Sequence, residues 1–181
     1  MQVFRGSRTN GRHCGGSADV TESLINADGF TGEESAQALR RLLDRQAIVD
    51  LLLRYASTID AKDYVTLRSL FCDDIHARYG EDVEINGGDE LLAWIDGMTI
   101  DSTWQHHMLN VYHVDFVTDT EATTLTYHTS HQTTSTAPNT CTKIVARYYD
   151  TVRKVDGVWK IADKYMQIGW VEQSTVDPDA S

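Results

Sequence analysis

The sequence predicts an α+β fold in which a strongly twisted antiparallel sheet curls around an N-terminal helix and leaves a pocket between them. Apolar residues recur at three- and four-residue spacing over residues 35–60, a pattern typical of an amphipathic helix. From residue 105 onward the spacing changes to period two, which is typical of strands that bury one face. Helices that precede a continuous run of strands favour α+β over alternating βα units.

The individual elements follow from the same two patterns. The first helix is expected to bury one apolar face that contains Leu39, Leu42, Leu43, Leu53 and Ala56. Shorter helices are expected at 63–71 and 88–98, with a strand at 75–80 between them. The period-two region divides into strands at 106–117, 122–133, 141–153 and 158–170. The tripeptide Val-Asp-Gly at 155–157 predicts a tight turn that joins the last two strands as a hairpin.

The composition is that of one ordinary globular domain. The chain has 181 residues, of which 41% are apolar and 24% charged, enough for one sizeable core. Residues 1–33 are rich in Gly, Ser, Asn and Thr and are expected to form a disordered tail. We place the domain at residues 34–171 and a second loose tail at residues 172–181.

Charge, hydropathy and cysteine usage argue against several classes of function. A formal net charge of −11 disfavours nucleic-acid binding, which needs clustered Lys and Arg. The chain lacks the run of about eighteen apolar residues of a membrane helix, and its first residues lack the apolar centre of a secretory signal. Cys14, Cys72 and Cys141 contain no Cys-x-x-Cys pair, which disfavours a disulfide framework and a zinc site. A cytoplasmic protein with reduced thiols is expected.

Asp60 is the first candidate for chemistry. It lies about one, two and three helical turns beyond Ala56, Leu53 and Val49, on the face of the helix that is expected to be buried. A buried carboxylate is costly unless another group pairs with it, and a histidine that it orients is one such partner. The alternative is a structural role, in which Asp60 caps the next helix.

The histidines near residue 106 are the second candidate. If the strands at 106–117 and 122–133 form a hairpin with a turn at Thr118 and Asp119, His106 lies directly opposite His131. One face of this hairpin then carries the expected substrate-binding residues, with both histidines at one end. These residues are Met108, Asn110, Tyr112, Val114, Phe116, Leu125 and Tyr127. We therefore expect His106 to point into the pocket and His107 to point away from it.

Two weaker possibilities concern metals and tyrosines. No two histidines of one strand can chelate an ion, and a cross-strand site of His106, His131 and Asp60 is a minor alternative. Tyr55 and Tyr79 flank the expected pocket, where either hydroxyl could donate a hydrogen bond to a substrate oxygen. No metal and no cofactor are therefore expected.

Several segments together resemble the SnoaL-like group that includes scytalone dehydratase. They are "IDAKDYVTLRSLF", "ARYG", "WQHHML", "TLTYHTSHQ" and "DGVWKIAD", and the similarity covers about residues 40–170. The resemblance implies the cone-shaped, barrel-like α+β fold of cystatin and nuclear transport factor-like proteins. It also implies catalytic roles for Asp60, Tyr79, His106 and His131, and bile-acid dehydratases of the group have a tyrosine at the position of Tyr55. Relatives are often trimers, so a homo-oligomer is expected, with a trimer favoured over a dimer.

The expected function is a cofactor-independent elimination of the dehydratase type on a small, largely apolar molecule. In this hypothesis Asp60 orients His106, which removes a proton beside a carbonyl or a leaving-group carbon. An isomerase or cyclase that uses the same base on a polyketide- or steroid-like molecule is the first alternative. A non-catalytic ligand-binding or assembly module is the second, because fold alone does not determine function.

Overall fold

The computed structural model describes residues 32–177. The chain divides into two compact units, residues 1–40 and 41–181. Within the described residues the first unit contains only the beginning of the first helix, and the fold below belongs to the second unit. The expected N-terminal tail lies outside the described residues, except for residues 32 and 33, which are helical.

The described residues form three helices and a six-stranded sheet. The helices are α1 (Gly32–Asp60), α2 (Tyr64–Ser69) and α3 (Gly88–Thr99). The strands are β1 (Phe71–Tyr79), β2 (Val83–Asn86), β3 (Ser102–Phe116), β4 (Glu121–Thr134), β5 (Ala137–Val155) and β6 (Val158–Thr175). The helices come first and the long strands follow, so the α+β class is confirmed.

The sheet is curved but does not close into a barrel. Its strand order is β2-β1-β6-β5-β4-β3, so β2 and β3 are its edges. All neighbouring pairs are antiparallel except β1 and β6, which run parallel. The sheet is therefore mixed, and the short strand β2 is an element that the sequence did not predict. β6 also continues four residues past the expected end of the domain at residue 171.

The helix α1 buries a different stripe from the one that its leucines predict. Ala56 is buried as expected, whereas the four predicted leucines are exposed: Leu39, Leu42, Leu43 and Leu53. The buried stripe includes Ile48, Leu52, Tyr55 and Ile59, which follow one another at four- and three-residue steps. Among the described residues no helix is both long and apolar enough to cross a membrane.

The turn between β5 and β6 is the tight one that the sequence predicts. Val155 pairs with Val158, and the two residues between them have positive φ, 51° at Asp156 and 81° at Gly157. Two consecutive positive φ values are typical of the type I′ turn, whose twist matches that of a hairpin. The following strand carries Trp159 and Ile161 into the core.

A bulge in β3 changes which side chains face the helices. His106 pairs with His131 as expected, but Phe116 pairs with Ala122 rather than with Glu121. The register shifts by one between Val111 and His113, so Tyr112 is an extra residue in β3. Before the bulge the odd-numbered side chains of β3 face the helices, and after it the even-numbered side chains do.

The end of α1 is held against β3 by polar contacts. Gln105 Nε2 donates a hydrogen bond of 2.5 Å to the carbonyl of Ile59, in the last turn of the helix. Lys62 Nζ donates to the carbonyls of Ile100 and Ser102, at 3.2 and 3.0 Å. Asp63, not Asp60, caps α2 by accepting the backbone N–H of Thr66. The capping alternative for Asp60 is therefore wrong.

His76 connects three strands on another part of the sheet. Its Nδ1 lies 2.8 Å from Asp163 of β6 and its Nε2 lies 2.9 Å from Glu84 of β2. Only the imidazolium can donate from both nitrogens, so the hydrogen bonds with Asp163 and then Glu84 raise the pKa of His76. Since an unfolded imidazole has a pKa of about 6.5, this stabilisation is complete below that value. It is lost as the pH rises through the folded pKa.

We expect His76→Gln to lower the melting temperature at about pH 6 and to have a much smaller effect at about pH 9. Thermal unfolding followed by circular dichroism measures the difference from wild type at each pH. Ile85→Val is the control, because it weakens β2 without removing an ionisable group and its effect should not depend on pH. Equal losses for His76→Gln at both pH values would contradict the assignment.

Candidate active site

Asp60 and His107 form a hydrogen-bonded pair at the junction of α1 and β3. His107 Nδ1 lies 2.5 Å from Asp60 Oδ1, and the backbone N–H of His107 donates to Asp60 Oδ2 at 2.9 Å. Both oxygens of one carboxylate are thus occupied by one residue. The side chains are 25% and 16% exposed, so the pair is partly shielded from water.

The position of Asp60 explains why it needs this partner. Asp60 is the last residue of α1, where unpaired carbonyl groups make a negative charge unfavourable. Partial burial by itself raises the pKa of Asp60, but the ring and backbone hydrogen bonds from His107 outweigh it and lower the pKa below its usual value. The carboxylate is therefore ionised at neutral pH and accepts a hydrogen bond from the Nδ1–H group of His107.

The expectation that His106 is the partner of Asp60 is wrong. His106 lies on the opposite face of the sheet, where its ring stacks on that of His131 at a centroid distance of 5.9 Å. The bulge at Tyr112 is the cause, because the predicted alternation runs unbroken from Val114 and Phe116 back to residue 106. His106 and His131 do face each other, but they do so away from Asp60.

His128 is a second histidine beside the pair. It lies on β4 with 2% of its surface exposed, 5.4 Å from the ring of His107 and 4.9 Å from the ring of Tyr148. Neither ring nitrogen has a hydrogen-bond partner among the described residues. Desolvation, followed by the charges of His107 and Lys164, lowers the pKa of His128 to about 3. His128 is thus a neutral imidazole at physiological pH.

Three tyrosines complete this group of side chains. The hydroxyls of Tyr55 and Tyr79 are 3.0 Å apart and buried, and the ring of Tyr148 meets that of Tyr55 edge to face at 6.1 Å. Trp94 of α3 packs on Tyr79 with ring centroids 4.3 Å apart. Burial raises the pKa of all three tyrosines, so their hydroxyls stay protonated and act as hydrogen-bond donors.

These side chains line one cavity of about 110 Å³. Its walls combine the polar groups above with Ile59, Ile95, Met98, Ile144 and Met166. Met98 is both a wall residue and 59% exposed, so the cavity opens to solvent beside it. The arrangement provides one oriented imidazole, one neutral imidazole and several phenol hydroxyls around a mostly apolar space.

Most of the expected substrate-binding residues lie elsewhere. Met108, Asn110 and Tyr112 are exposed, and Tyr112 packs on Tyr127 with ring centroids 4.2 Å apart on the same outer side of the sheet as Leu125. Val114 and Phe116 do face the helices, since they follow the bulge, but neither lines the cavity. Of the expected site residues, Tyr55 and Tyr79 line the cavity, and Asp60 is bonded to its His107 wall.

The sequence reasoning missed His107, His128, Tyr148 and Trp94. The inward file of β4, Thr124, Thr126, His128 and Ser130, is visible in the sequence as a period-two set, but the predicted hairpin puts it on the outer face. The need of Asp60 for a partner is the sequence feature that could have corrected the assignment, because His107 could pair with it as well as His106. No local sequence feature marks the bulge.

The minor metal alternative is also excluded on geometry. Asp60 bonds to the inward His107, whereas His106 and His131 lie on the other face, so the three side chains cannot hold one ion. Among residues 32–177, no group of three or more His, Cys, Asp or Glu side chains is arranged to bind a metal.

Comparison with known proteins places these residues in a family. The family model described as SnoaL-like domain matches residues 40–164. No curated protein matches the chain.

Several solved structures share the fold. A protein from Novosphingobium aromaticivorans DSM 12444 that carries the name scytalone dehydratase as an assignment only is 22% identical with a TM-score of 0.70, over 80% of this chain and 98% of that one. A type 2 hexachlorocyclohexane dehydrochlorinase (LinA) is 19% identical with a TM-score of 0.71, over 80% of this chain and 99% of that one. The type 3 enzyme from Novosphingobium barchaimii LL02 is 20% identical with a TM-score of 0.68, over 76% and 94%. At these identities the likeness concerns the fold.

We expect the ring of His128 to stay neutral between about pH 8 and pH 4, because its pKa is about 3. Long-range ¹H–¹⁵N spectra of the histidine side chains measure this directly, and the spectrum of His128→Gln assigns the resonances. A His128 signal that titrates near an ordinary histidine pKa of about 6.5 would refute the assignment of a neutral ring.

Proposed function

Because the chain belongs to the SnoaL-like domain family, we propose that it is a cofactor-independent lyase that eliminates water or halide from a small substrate. The observation that carries the proposal is the Asp60–His107 hydrogen bond of 2.5 Å beside the cavity. It gives one imidazole a fixed orientation and tautomer next to a mostly apolar space. That combination is what a base needs to remove a proton from carbon.

In the proposed first step His107 acts as the base. Asp60 accepts a hydrogen bond from the Nδ1–H group, which keeps its proton, and the lone pair on Nε2 is free to take a proton from the carbon beside the substrate carbonyl. The electron pair of the broken C–H bond moves onto the carbonyl oxygen as an enolate. The carboxylate of Asp60 stabilises the imidazolium that forms on His107. The other product of the proton transfer, the enolate, needs hydrogen-bond donors.

The enolate oxygen needs hydrogen-bond donors that keep their own protons. The protonated hydroxyls of Tyr55 and Tyr79 are hydrogen-bonded to each other, so one donates to its neighbour and the other can donate to the enolate. Neutral His128 can donate one N–H without adding a charge. In the second step the enolate expels the leaving group from the adjacent carbon and a C=C bond forms. A hydroxyl leaves as water by taking the proton from Nε2 of His107, whereas a halide leaves as the anion and the proton later goes to solvent.

The cavity limits the reacting part of the substrate to about one ring. An engineered cavity of about 150 Å³ holds benzene, and the volume of the cavity here is about 110 Å³. We therefore propose a single-ring or short-chain carbonyl, hydroxyl or halide compound. A larger molecule would have to extend past Met98 toward solvent, since the cavity opens there.

The names of the structural relatives agree with an elimination. One is named a scytalone dehydratase and others are named hexachlorocyclohexane dehydrochlorinases, which lose water and hydrogen chloride respectively. At this low identity their likeness to this chain concerns the fold. The reaction proposed for this chain therefore depends on the geometry of its own site. A cytoplasmic location is part of the proposal, since Cys72 and Cys141 are free thiols.

We expect His107→Gln and Asp60→Asn to reduce turnover on the order of 10²- to 10⁴-fold, because each removes part of the base. The neighbouring substitution His106→Gln is the matched control and should leave turnover nearly unchanged, since His106 faces away from the cavity. The probe is 3-hydroxycyclohexanone, whose loss of water to 2-cyclohexenone is followed by ultraviolet absorbance. Release of chloride from hexachlorocyclohexane is measured in parallel.

The same experiment separates the competing functions. Conversion of 3-cyclohexenone to 2-cyclohexenone without any elimination would favour an isomerase that uses the same base. Turnover that survives His107→Gln but disappears in His106→Gln would overturn the assignment of the base. A folded wild-type protein that acts on none of the probes, and exchanges no α-proton of cyclohexanone with deuterated water, would favour a binding module.

We also propose that the chain forms a homo-oligomer, with a trimer favoured over a dimer. The outer face of β3–β6, opposite α1, carries large exposed side chains: Trp104, Met108, Tyr112, Tyr149 and Trp170. A concavity of about 540 Å³ on this part of the sheet is lined by Tyr127, Arg147 and Trp170, among others. An apolar face of this kind on one domain is typical of a surface that binds another copy.

We expect light scattering to give three times the 20.3 kDa mass of one chain for the wild type, and a lower mass for Trp170→Glu. A charge at this position would be buried at an apolar interface, which is unfavourable for assembly. The variant should still fold, because Trp170 is 55% exposed in the single chain. Val65→Glu is the control, because Val65 is equally apolar and 86% exposed but lies on α2. A wild type of single-chain mass would contradict the proposal.

A further inference from the structure

A buried ion pair lies on the inner face of the sheet. Lys164 of β6 and Asp150 of β5 are directly paired across the strands, and Lys164 Nζ donates to Asp150 Oδ1 at 2.8 Å. Their side chains are 0% and 1% exposed. Asp150 Oδ2 has no hydrogen-bond partner among the described residues. The pair is thus enclosed with an incomplete set of hydrogen bonds, and burial raises the pKa of Asp150 against the lowering effect of Lys164.

Stability alone does not account for this pair. Burying two charges carries a desolvation penalty that their attraction repays only when all their hydrogen bonds are made. Replacing a buried pair with apolar side chains of similar volume is often neutral or stabilising. The unpaired oxygen of Asp150 makes the balance less favourable here, which points to a role for the charge of Lys164.

The ammonium group contacts the faces of two tyrosine rings. Lys164 Nζ lies 3.9 Å from the ring centroid of Tyr148 and 4.4 Å from that of Tyr55. Both rings line the cavity, whereas Lys164 does not. The rings therefore separate the charge from the substrate, and Lys164 can influence the reaction only through them or through the field that it exerts across them.

We infer that Lys164 is a positioning residue whose charge, acting through the faces of Tyr55 and Tyr148, strengthens binding of a negatively charged oxygen in the cavity. When a phenol hydroxyl donates to an anion, electron density on its ring rises. A cation on the face of that ring stabilises the added density, and the effect is large where water is excluded. In agreement with this direction, the charge of Lys164 opposes the rise that burial causes in the pKa of Tyr55, and its effect is larger than the opposite effect of Asp150.

This inference deepens the proposed function, because the negative oxygen would be the enolate of the elimination. Substrate carbonyl and enolate differ mainly in the charge on this oxygen, so the effect of Lys164 should appear in turnover more than in substrate binding. The contribution would be absent from any reaction in which no charge develops on oxygen.

The test uses 4-nitrophenol, a single-ring probe whose phenolate imitates an enolate oxygen. Absorbance of the bound phenolate as a function of pH gives the pKa of the probe in the wild-type protein and its variants. Lys164→Met/Asp150→Asn removes both charges at nearly constant volume and leaves no unpaired carboxylate. We expect phenolate binding to weaken on the order of tenfold, which is about one pH unit in the bound probe's pKa.

Three comparisons isolate the role of the charge. Binding of 4-nitroanisole, which cannot ionise, should not change in the double variant. Lys164→Arg retains the charge and should recover most of the phenolate preference. Lys143→Met removes a lysine that pairs with Glu172 and is 34% exposed, and it should have no effect.

A double-mutant cycle tests whether the charge acts through the tyrosines. In a Tyr55→Phe/Tyr148→Phe background, removal of the Lys164–Asp150 pair should no longer weaken phenolate binding. If Lys164→Met/Asp150→Asn is poorly folded, Lys164→Gln/Asp150→Asn replaces it in both backgrounds, because it also removes both charges and its amide groups can still form a hydrogen bond with each other. Melting curves confirm that each variant used is folded.

The outcomes separate this inference from the proposed function. Phenolate binding that is unchanged in the folded double variant, or a wild type that does not prefer phenolate over phenol, overturns the inference. If elimination still depends on His107, the proposed function stands in that case. An effect of Lys164 on the probe without any elimination overturns the proposed function and leaves this inference intact.

Discussion

The hydrogen bond between Asp60 and His107 is the contact on which the proposed chemistry depends. A carboxylate at the carboxyl end of a helix faces unpaired carbonyl groups, so it is favourable only when donors from elsewhere reach it. His107 supplies two such donors, its ring and its backbone N–H. The same contact holds α1 against β3 and orients the imidazole. One interaction therefore serves both the packing of the helix and the geometry of the site.

One inserted residue determines which histidine enters this interaction. Tyr112 interrupts the alternation of β3, and the side chains on either side of it follow opposite phases. His107 therefore faces the cavity while Val114 also faces inward, and His106 joins the outer face with Tyr112 itself. The bulge thus places His107 beside the cavity, and Trp104, His106 and Tyr112 on the face of the proposed assembly surface.

The cavity combines groups of different charge in a small apolar space. Asp60 is ionised, His128 is neutral because burial lowers its pKa, and the tyrosines keep their protons because burial raises theirs. A site of this kind offers one base together with donors that do not compete for its proton. Lys164 adds a positive charge beneath the rings without exposing it to the substrate. Burial sets the protonation states of His128 and the tyrosines, whereas the hydrogen bonds from His107 keep Asp60 ionised.

The sequence by itself determined the order of the elements other than β2, the α+β class, the turn at Asp156 and Gly157, and Asp60 as a residue that needs a partner. These follow from local spacing and from the cost of a buried charge, which neighbouring residues reveal. The choice between His106 and His107, and the burial of His128, were decided only by the tertiary structure. A period-two pattern specifies alternation but not its phase, and a bulge reverses the phase without a local signature. Only the packing of α1 against β3 shows which face the cavity occupies.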